Sequence, residues 1–488
     1  MNKRLDKLPG KVITILFTGV WIVFVGLLLY TRMFPLTYVL IAAVLLVLLT
    51  VVIGALVWRM RRRVRFWTGT VLAALLVIVM SLGSMYMYQT ISALGNISGV
   101  NTQTAHVGLY VRSEDAAQSI ADTAGYTYGI LQTLDRENTD AAIQAMGADV
   151  GASVQVAEYA GLPQLVDGLL NGETGGIILN TAYLDIIAEM EQYADIHSRI
   201  REVGNKQVET AIEQTAPVPG GSEEEHGDHV MEVFISGIDT RGGMTANSRS
   251  DVNILATVNL DTREVLLVST PRDYFVPLSI SGGIPDKLTH AGIYGVDVSM
   301  DTLGMLYDVN VDYYFRVNFG GFVDIINALG GITVHSDYEF VSSEGGYYFS
   351  QGENYVDGDQ ALAFARERQA FAEGDRQRGK NQMALIESVI NKALSPDLLM
   401  NYSSVLSGVE GSFETNIPYD TIAELVRTQL AQGGSWNIQS YSVDGTGDTQ
   451  QPYSMSQAAY VMIPDQTTVD TAKSLMQQVR AGEHISVE

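Results

Sequence analysis

The sequence predicts an α/β protein carried on a membrane anchor: three N-terminal transmembrane helices, a small α/β accessory domain, and a larger α/β domain with a central mixed sheet flanked by helices. Three observations lead there. Three apolar runs without a charged residue fill most of the first ninety positions, and beyond them strand-like and helix-like periodicities alternate. The charge also divides unevenly. The 488 residues hold 30 Lys+Arg against 55 Asp+Glu, a net −25, yet residues 1–66 contain ten basic side chains and only one acidic one, Asp6. The first part is therefore +9 and the rest −34, which implies two different environments. The absence of cysteine excludes a disulfide framework, a thiolate zinc site and a cysteine nucleophile. An acidic body argues against nucleic acid as a partner, because binding to phosphate backbones needs excess Lys and Arg.

The runs are Val12–Tyr30, Leu36–Trp58 and Trp67–Tyr88. Each reaches the roughly 20 residues that a helix needs to cross the hydrocarbon of a bilayer. Lys3, Arg4, Lys7 and Lys11 precede the first run, and Arg59, Arg61, Arg62, Arg63 and Arg65 separate the second from the third. Only Arg32 lies between the first two. The positive-inside rule then puts the N-terminus in the cytoplasm and everything after about residue 90 outside. The anchor is expected over residues 1–90.

Residues 105–205 are expected to form the accessory domain. Val107–Val111 is strand-like, an Ala-rich helical pattern follows through Leu131, and Gly176–Leu179 leads into a helix over Tyr183–Tyr193. No phosphate-loop or metal spacing occurs here, so a spacer or interaction role is expected. Residues 206–229 are expected to be a linker, since Thr215–His229 is acidic and punctuated by Pro and Gly. Its His226, Asp228 and His229 are metal-ligating types, but nothing in a solvated stretch fixes their geometry.

The second α/β domain is expected over residues 230–488. Val233–Ser236 is strand-like. Val252–Leu260 and Glu264–Ser269 form a strand pair about a turn at Asp261–Arg263. Apolar residues at 319, 322, 323, 326 and 329 have helical spacing, Gly330 and Gly331 stop that helix, and Ile332–Val334 begins another strand. Gln360–Arg366 and Asn381–Leu394 carry further helical patterns.

Cations are scarce in this outer region, and they cluster. Arg366, Arg368, Arg376, Arg378 and Lys380 fall within fifteen residues. Arg241, Arg249 and Arg272 follow or border strands, beside Asp239, Asp251 and Asp273 respectively. Loops at strand ends are where α/β folds place ligands, and converging guanidinium groups could hold a pyrophosphate. Asp239 and Asp251 are hard oxygen donors of the kind Mg²⁺ prefers. Spacing alone leaves open a second reading, that each Arg–Asp neighbour pair is only a surface ion pair.

Six segments occur in order: FISGIDTR (234–241), RSDVNIL (249–255), STPRD (269–273), KLTHAGIYG (287–295), YYFRVNFGGFVDIINALGGI (313–332) and GDQALAFARERQAFAEGDRQRGKNQ (358–382). In these the chain resembles the LytR-CpsA-Psr family of bacterial envelope proteins, in its capsule-type branch with an accessory domain. The resemblance implies a phosphotransferase outside the membrane, which moves an anionic glycopolymer (capsule or wall teichoic acid-like) from a polyprenyl-pyrophosphate carrier to a peptidoglycan hydroxyl. It implies Mg²⁺, with Mn²⁺ as an alternative, on Asp239 and Asp251. Arg272, Arg366, Arg368 and Arg378 would clamp the pyrophosphate, with a hydrogen bond from Gln382, and Asp375 would orient the arginines or assist proton transfer. Arg241, Asp273 and Lys287 match motif positions in a substrate-binding role. The expected partners are the lipid-linked polymer, peptidoglycan and membrane lipid; the sequence leaves the oligomeric state open. The same residues would also serve a pyrophosphate hydrolase or a lipid-binding regulator of envelope polysaccharide synthesis. His290, in KLTHAG, is expected to make a structural hydrogen bond.

Overall fold

The computed structural model describes residues 8–58, 63–150, 154–212, 229–238, 247–372, 374–393, 395, 405, 408–409, 411–455 and 457–487. The chain forms two compact units. One comprises Met1–Gly99, Ile390–Glu410 and Ile417–Ser435; the other comprises Val100–Val389, Gly411–Asn416 and Trp436–Glu488.

In the first unit, helices α1 (Leu8–Tyr30), α2 (Leu36–Val57) and α3 (Arg63–Ile97) are each long and apolar enough to cross a membrane. They pack through Phe17, Leu46, Ile53, Val57, Phe66, Ala73 and Met80, while Ile15, Leu16, Val44, Val51 and Val79 face outward. An apolar outer surface of this kind suits lipid rather than water. Close approach depends on small residues, as is usual between membrane helices. A Cβ on Gly10 would sit 2.0 Å from the Val57 carbonyl oxygen, and one on Gly69 would sit 2.7 Å from Leu56 Cβ. The α1–α2 loop meets the start of a helix over Tyr419–Gln432: the Tyr419 hydroxyl donates to the Thr31 carbonyl at 3.1 Å, and Arg32 pairs with Asp420 at 3.3 Å.

The second unit is built on two large sheets, with smaller two-stranded ones beside them among the described residues. The first is built from β1 (Thr102–Arg112), β2 (Thr127–Leu131), β3 (Gln155–Tyr159), β4 (Gly176–Asn180) and β5 (Ile200–Ala211), in the order β3-β2-β4-β1-β5. Strand β2 runs parallel to β3 and β4, and β1 runs antiparallel to β4 and β5. Helices α4 (Arg136–Val150), α5 (Leu162–Leu170), α6 (Tyr183–Glu189) and α7 (Ile196–Arg199) connect the strands. The helix expected through Leu131 is not what forms. One short turn of 3₁₀ helix covers Ile120–Thr123, Gly125 turns the chain at φ +89°, and Thr127–Leu131 is a buried strand. The run TYGIL is β-branched, aromatic and aliphatic, which favours a pleated surface.

The second sheet has the order β16-β11-β6-β7-β8-β17. Its strands are β6 (Val230–Ile238), β7 (Ser250–Asn259), β8 (Glu264–Thr270), β11 (Tyr313–Asn318), β16 (Phe413–Thr415) and β17 (Asn437–Ser442). Strands β11 and β17 run parallel to β6 and β8, and the remaining pairs are antiparallel. Short strands β9 (Phe275–Pro277) and β10 (Pro285–Lys287) pair beside helices α8 (Leu288–Tyr294) and α9 (Val296–Tyr307). After α10 (Phe319–Ala328) come the ribbons β12 (Ile332–Ser336) with β15 (Gly352–Val356), and β13 (Phe340–Val341) with β14 (Tyr348–Phe349). Helices α11 (Gly358–Arg366) and α12 (Asp375–Ala393) follow, and the chain closes with β18 (Gly445–Gln450), β19 (Ala459–Pro464) and α13 (Gln466–Arg480). The core between sheet and helices includes Phe234, Leu255, Leu266, Tyr274, Leu303, Tyr314, Val469 and Met476.

Two charged residues are buried beside this core with partners. Arg316 pairs with Glu414 at 2.5 Å across β11 and β16. Glu232 accepts from Arg480 at 2.8 Å and from Thr257 at 2.8 Å. Burial pushes the Glu232 carboxyl up to about 7, against the pull of Arg480.

Candidate functional site

The antiparallel and parallel registers bring several strand ends to one edge of the larger sheet. Ile238 at the end of β6 pairs with Ser250 at the start of β7; Thr270 at the end of β8 pairs with Asn253; Asn318 at the end of β11 pairs with Ile238. Arg249, Asp251, Arg272 and Asp273 therefore sit together because the chain reverses there, not because they are close in sequence.

Their side chains form a connected ionic lattice. Arg272 Nη1 lies 3.2 Å from Asp251 Oδ2, and its Nε lies 3.5 Å from Asp273 Oδ2. Lys287, at the end of β10, lies 3.6 Å from Asp273 Oδ1. The Thr289 hydroxyl donates to Asp251 Oδ1 at 3.2 Å, and the Thr289 amide donates to the Arg272 carbonyl at 2.9 Å. Glu189, the last residue of α6, completes the lattice: it accepts from Arg249 Nη1 at 2.6 Å and from Lys287 Nζ at 2.9 Å. Burial would raise the Glu189 carboxyl, but Lys287, His290 and Arg249 outweigh it and hold the group below its ordinary range, so it is ionised.

A second cationic group reaches the same edge from α11 and α12. Arg366, in the last turn of α11, places its guanidinium 4.5 Å from the centre of the Phe319 ring, one residue past the end of β11. It also donates to Glu344 at 2.6 Å. Buried Glu367 accepts backbone N–H bonds from Ser343, Gln369 and Ala370, which fix the turn between Arg366 and exposed Arg368. Burial alone would raise Glu367, and these donors outweigh it and lower the carboxyl. Gln382 donates to the Ala365 carbonyl at 3.3 Å and Asn381 to the Phe364 carbonyl at 3.3 Å, tying α12 to the end of α11. A Cβ on Gly379 would lie 3.6 Å from Ser269 Oγ, so the turn bearing half-buried Arg378 lies against the end of β8. Arg376 pairs with Asp444 at 2.7 Å, just past β17.

Of the expected site residues, the structure thus joins Arg272, Asp273, Lys287 and Asp251 in one lattice and brings Arg366 and Arg378 to the same sheet edge. Asp239 and Arg241 lie outside the described residues, as do His226 and Asp228; Asp375 opens α12. His229 pairs with Asp261 at 2.8 Å. His290 is fully buried, with Nδ1 2.7 Å from Asp286 and 2.9 Å from the Ser454 hydroxyl, the structural role expected of it. Sequence reading did not find Glu189, Glu344 or Glu367. An acidic residue inside a helix, a turn or an ARERQ-type run carries no mark of its distant partner.

Asp251 suits a hard cation. Its Oδ1 accepts only from a neutral hydroxyl among the hydrogen bonds described, and one or two carboxylates with phosphate and water are what Mg²⁺ takes. Among the described residues, no group of three or more His, Asp or Glu side chains gathers as a metal site, so an ion here would draw its remaining ligands from substrate and water.

An α/β domain that gathers arginine, lysine and carboxylates at the strand ends of a mixed sheet is equipped to hold a polyanion. The chain belongs to the LytR_cpsA_psr family, whose model matches residues 191–478. It is 31% identical over 281 residues to the polyisoprenyl-teichoic acid–peptidoglycan teichoic acid transferase TagU of Bacillus subtilis, covering 57% of this chain and 84% of the relative. The protein of the same name from Enterococcus faecalis is 32% identical over 222 residues, covering 45% and 72%. Among solved structures, that of TagV from B. subtilis covers 53% of this chain and 99% of its own at 26% identity, with a TM-score of 0.44.

Proposed function

We propose that this chain transfers an anionic glycopolymer, of wall teichoic acid or capsule type, from a polyprenyl-pyrophosphate carrier to a sugar hydroxyl of peptidoglycan. The observation that supports this best is the convergence of Arg249, Arg272, Lys287, Arg366 and Arg378 on one sheet edge. Phosphoryl transfer asks for positioning and charge stabilisation more than for covalent chemistry by the protein, and converging cations supply both. The acceptor oxygen attacks the polymer-side phosphorus, the bond to the bridging oxygen breaks, and polyprenyl monophosphate leaves. Arg272, Arg366, Arg368 and Arg378 bind the phosphate oxygens and oppose the charge that builds up on them. Asp239 and Asp251 would hold Mg²⁺, which when bound neutralises pyrophosphate charge. Asp375 orients the arginines or takes the hydroxyl proton. Gln382 and Asn381 hold the two arginine-bearing helices in register, and Glu367 fixes the turn after the first.

The membrane arrangement fits a lipid-linked donor. If the N-terminus and the basic residues around 59–65 face the cytoplasm, as the positive-inside rule implies, the α1–α2 loop lies outside, and its contacts with Tyr419 and Asp420 support the same side for the helix over Tyr419–Gln432. An isoprenoid carrier would then present its pyrophosphate at the membrane surface next to a tethered enzyme. Incubation of the full chain in detergent with lipid-linked teichoic acid precursor tests the reaction. Release of polyprenyl monophosphate should require peptidoglycan acceptor, and release at the same rate without acceptor would refute transfer.

A further inference from the structure

We propose that Glu189 of the accessory domain is an internal counter-anion for the phosphate site: it occupies the Arg249 and Lys287 donors until a polyanion displaces it. The inference rests on the pyrophosphate reading of the site and names what that site must give up before substrate binds.

The contact crosses between the two sheets of the unit, 60 residues from Arg249 and 98 from Lys287. It is built rather than incidental, because packing and hydrogen bonds hold α6 and β1 against α8, α9 and the segment before β7. Tyr183, at the start of α6, packs edge-on to Tyr294 of α8 with ring centres 6.0 Å apart. Ile293 and Met455 lie in the same buried cluster as Leu184, Ile186 and Ile187. Gln103 of β1 accepts from the Val296 amide at 3.0 Å and donates to Asp297 at 3.0 Å, and the Thr104 carbonyl accepts from the Asn247 amide at 3.2 Å. These bonds flank the segments that carry Lys287 and Arg249.

Charge then sets the consequence. Three cations of the lattice, Arg249, Arg272 and Lys287, face four carboxylates: Glu189, Asp185, Asp251 and Asp273. Asp185 is only loosely engaged, 3.9 Å from Arg249, whereas Glu189 makes the two short bonds. Those two donors are of the kind a phosphate oxygen would take. A ligand carrying one negative charge gains little by replacing a carboxylate that carries the same charge in better geometry. A pyrophosphate, with more charge and more acceptor oxygens, can displace it. Glu189 thereby favours a ligand with more charge and more acceptor oxygens, and it returns to its cations when that ligand leaves.

The test uses the full chain in detergent micelles, with inorganic pyrophosphate as probe and titration calorimetry as readout. Glu189→Gln should tighten pyrophosphate binding about tenfold, the scale of one partly buried charge-assisted contact. It should tighten inorganic phosphate by a larger factor, so that the pyrophosphate-to-phosphate selectivity falls. In the transfer assay, KM for the lipid-linked donor should fall while kcat does not rise. Glu189→Asp keeps the charge and should retain wild-type selectivity. An unchanged or weaker pyrophosphate affinity in Glu189→Gln overturns the inference, as does a Glu189→Asp that behaves like Glu189→Gln. If the wild-type chain transfers polymer normally while these outcomes occur, only the role of Glu189 fails. If neither wild type nor Glu189→Gln binds pyrophosphate, the pyrophosphate reading fails and this inference falls with it.

Discussion

Replacing Arg366 with Ala separates what the side chain does for the fold from what it does for a bound phosphate. In the structure its guanidinium stacks over Phe319 at 4.5 Å and bonds Glu344 at 2.6 Å. The side chain is about one-third exposed and that of Glu344 more than half, so solvent screens the pair. The ring contact contributes about 0.5–1 kcal/mol and the ion pair roughly 0.2–1 kcal/mol. The folding cost of Arg366→Ala is then about 1–2 kcal/mol, which should lower the unfolding midpoint by a few degrees. Removing a charged donor aimed at the reacting phosphate costs far more, about 100- to 1,000-fold in turnover. Arg366→Lys keeps the charge but loses the planar stack and the two-pronged geometry, and should fall between wild type and Ala. Initial rates of label transfer from lipid-linked precursor to peptidoglycan, with melting curves on the same samples, measure both effects. A variant that melts near wild type and also transfers near the wild-type rate would refute the placement of Arg366 at the phosphate.

Arg316→Met should destabilise the chain by about 3–5 kcal/mol, because it leaves the nearly inaccessible Glu414 carboxylate without its partner. The double variant with Glu414→Leu should recover most of that in denaturant melts, and no recovery would count against the pair as the cause. Asp251→Asn should shift the Mg²⁺ titration of transfer to higher metal concentration while the melting point changes little; an unmoved titration removes Asp251 from the metal site. Glu232 and Asp135 are both buried carboxyls raised above their ordinary values, to about 7 and about 6 respectively, chiefly by burial. The folded chain keeps these protons where the unfolded chain has lost them. Their contribution is therefore full below the ordinary carboxylate range and is lost as pH rises through about 6 and then about 7. The unfolding midpoint should decline between pH 5 and pH 8, and Glu232→Gln with Asp135→Asn should flatten that slope whatever it does to the absolute midpoint.

What the sequence made legible was local. The three long apolar helices, the β7–β8 strand pair about Asp261–Arg263, and the α10 stripe ending at Gly330–Gly331 each depend on a pattern confined to one segment. The third of these helices is longer than its apolar run, since α3 continues through polar positions to Ile97. Sheet order was not legible. Nothing in Tyr313–Asn318 marks it as parallel to Val230–Ile238, because that pairing is decided by how helices pack on the finished sheet. The Ala-rich stretch before Leu131 misled for a related reason: burial in a five-stranded sheet overrode a helical spacing that stops at Gly125. At the site, arginines stood out against an acidic background, so the cationic half could be read directly. Of the carboxylates that hold them, Asp251 and Asp273 could also be read as chain neighbours, whereas Glu189, Glu344 and Glu367 acquire meaning only when Lys287, Arg366 and the Ser343 amide arrive from elsewhere in the chain.

Where the polymer goes separates transfer from hydrolysis. A lipid-linked precursor labelled in its glycopolymer, incubated with the full chain, Mg²⁺ and peptidoglycan, should yield label bound to peptidoglycan through a phosphodiester, with one polyprenyl monophosphate released per polymer transferred. Label recovered only as free polymer phosphate, at the same rate with or without peptidoglycan, would contradict it and mark the site as that of a hydrolase.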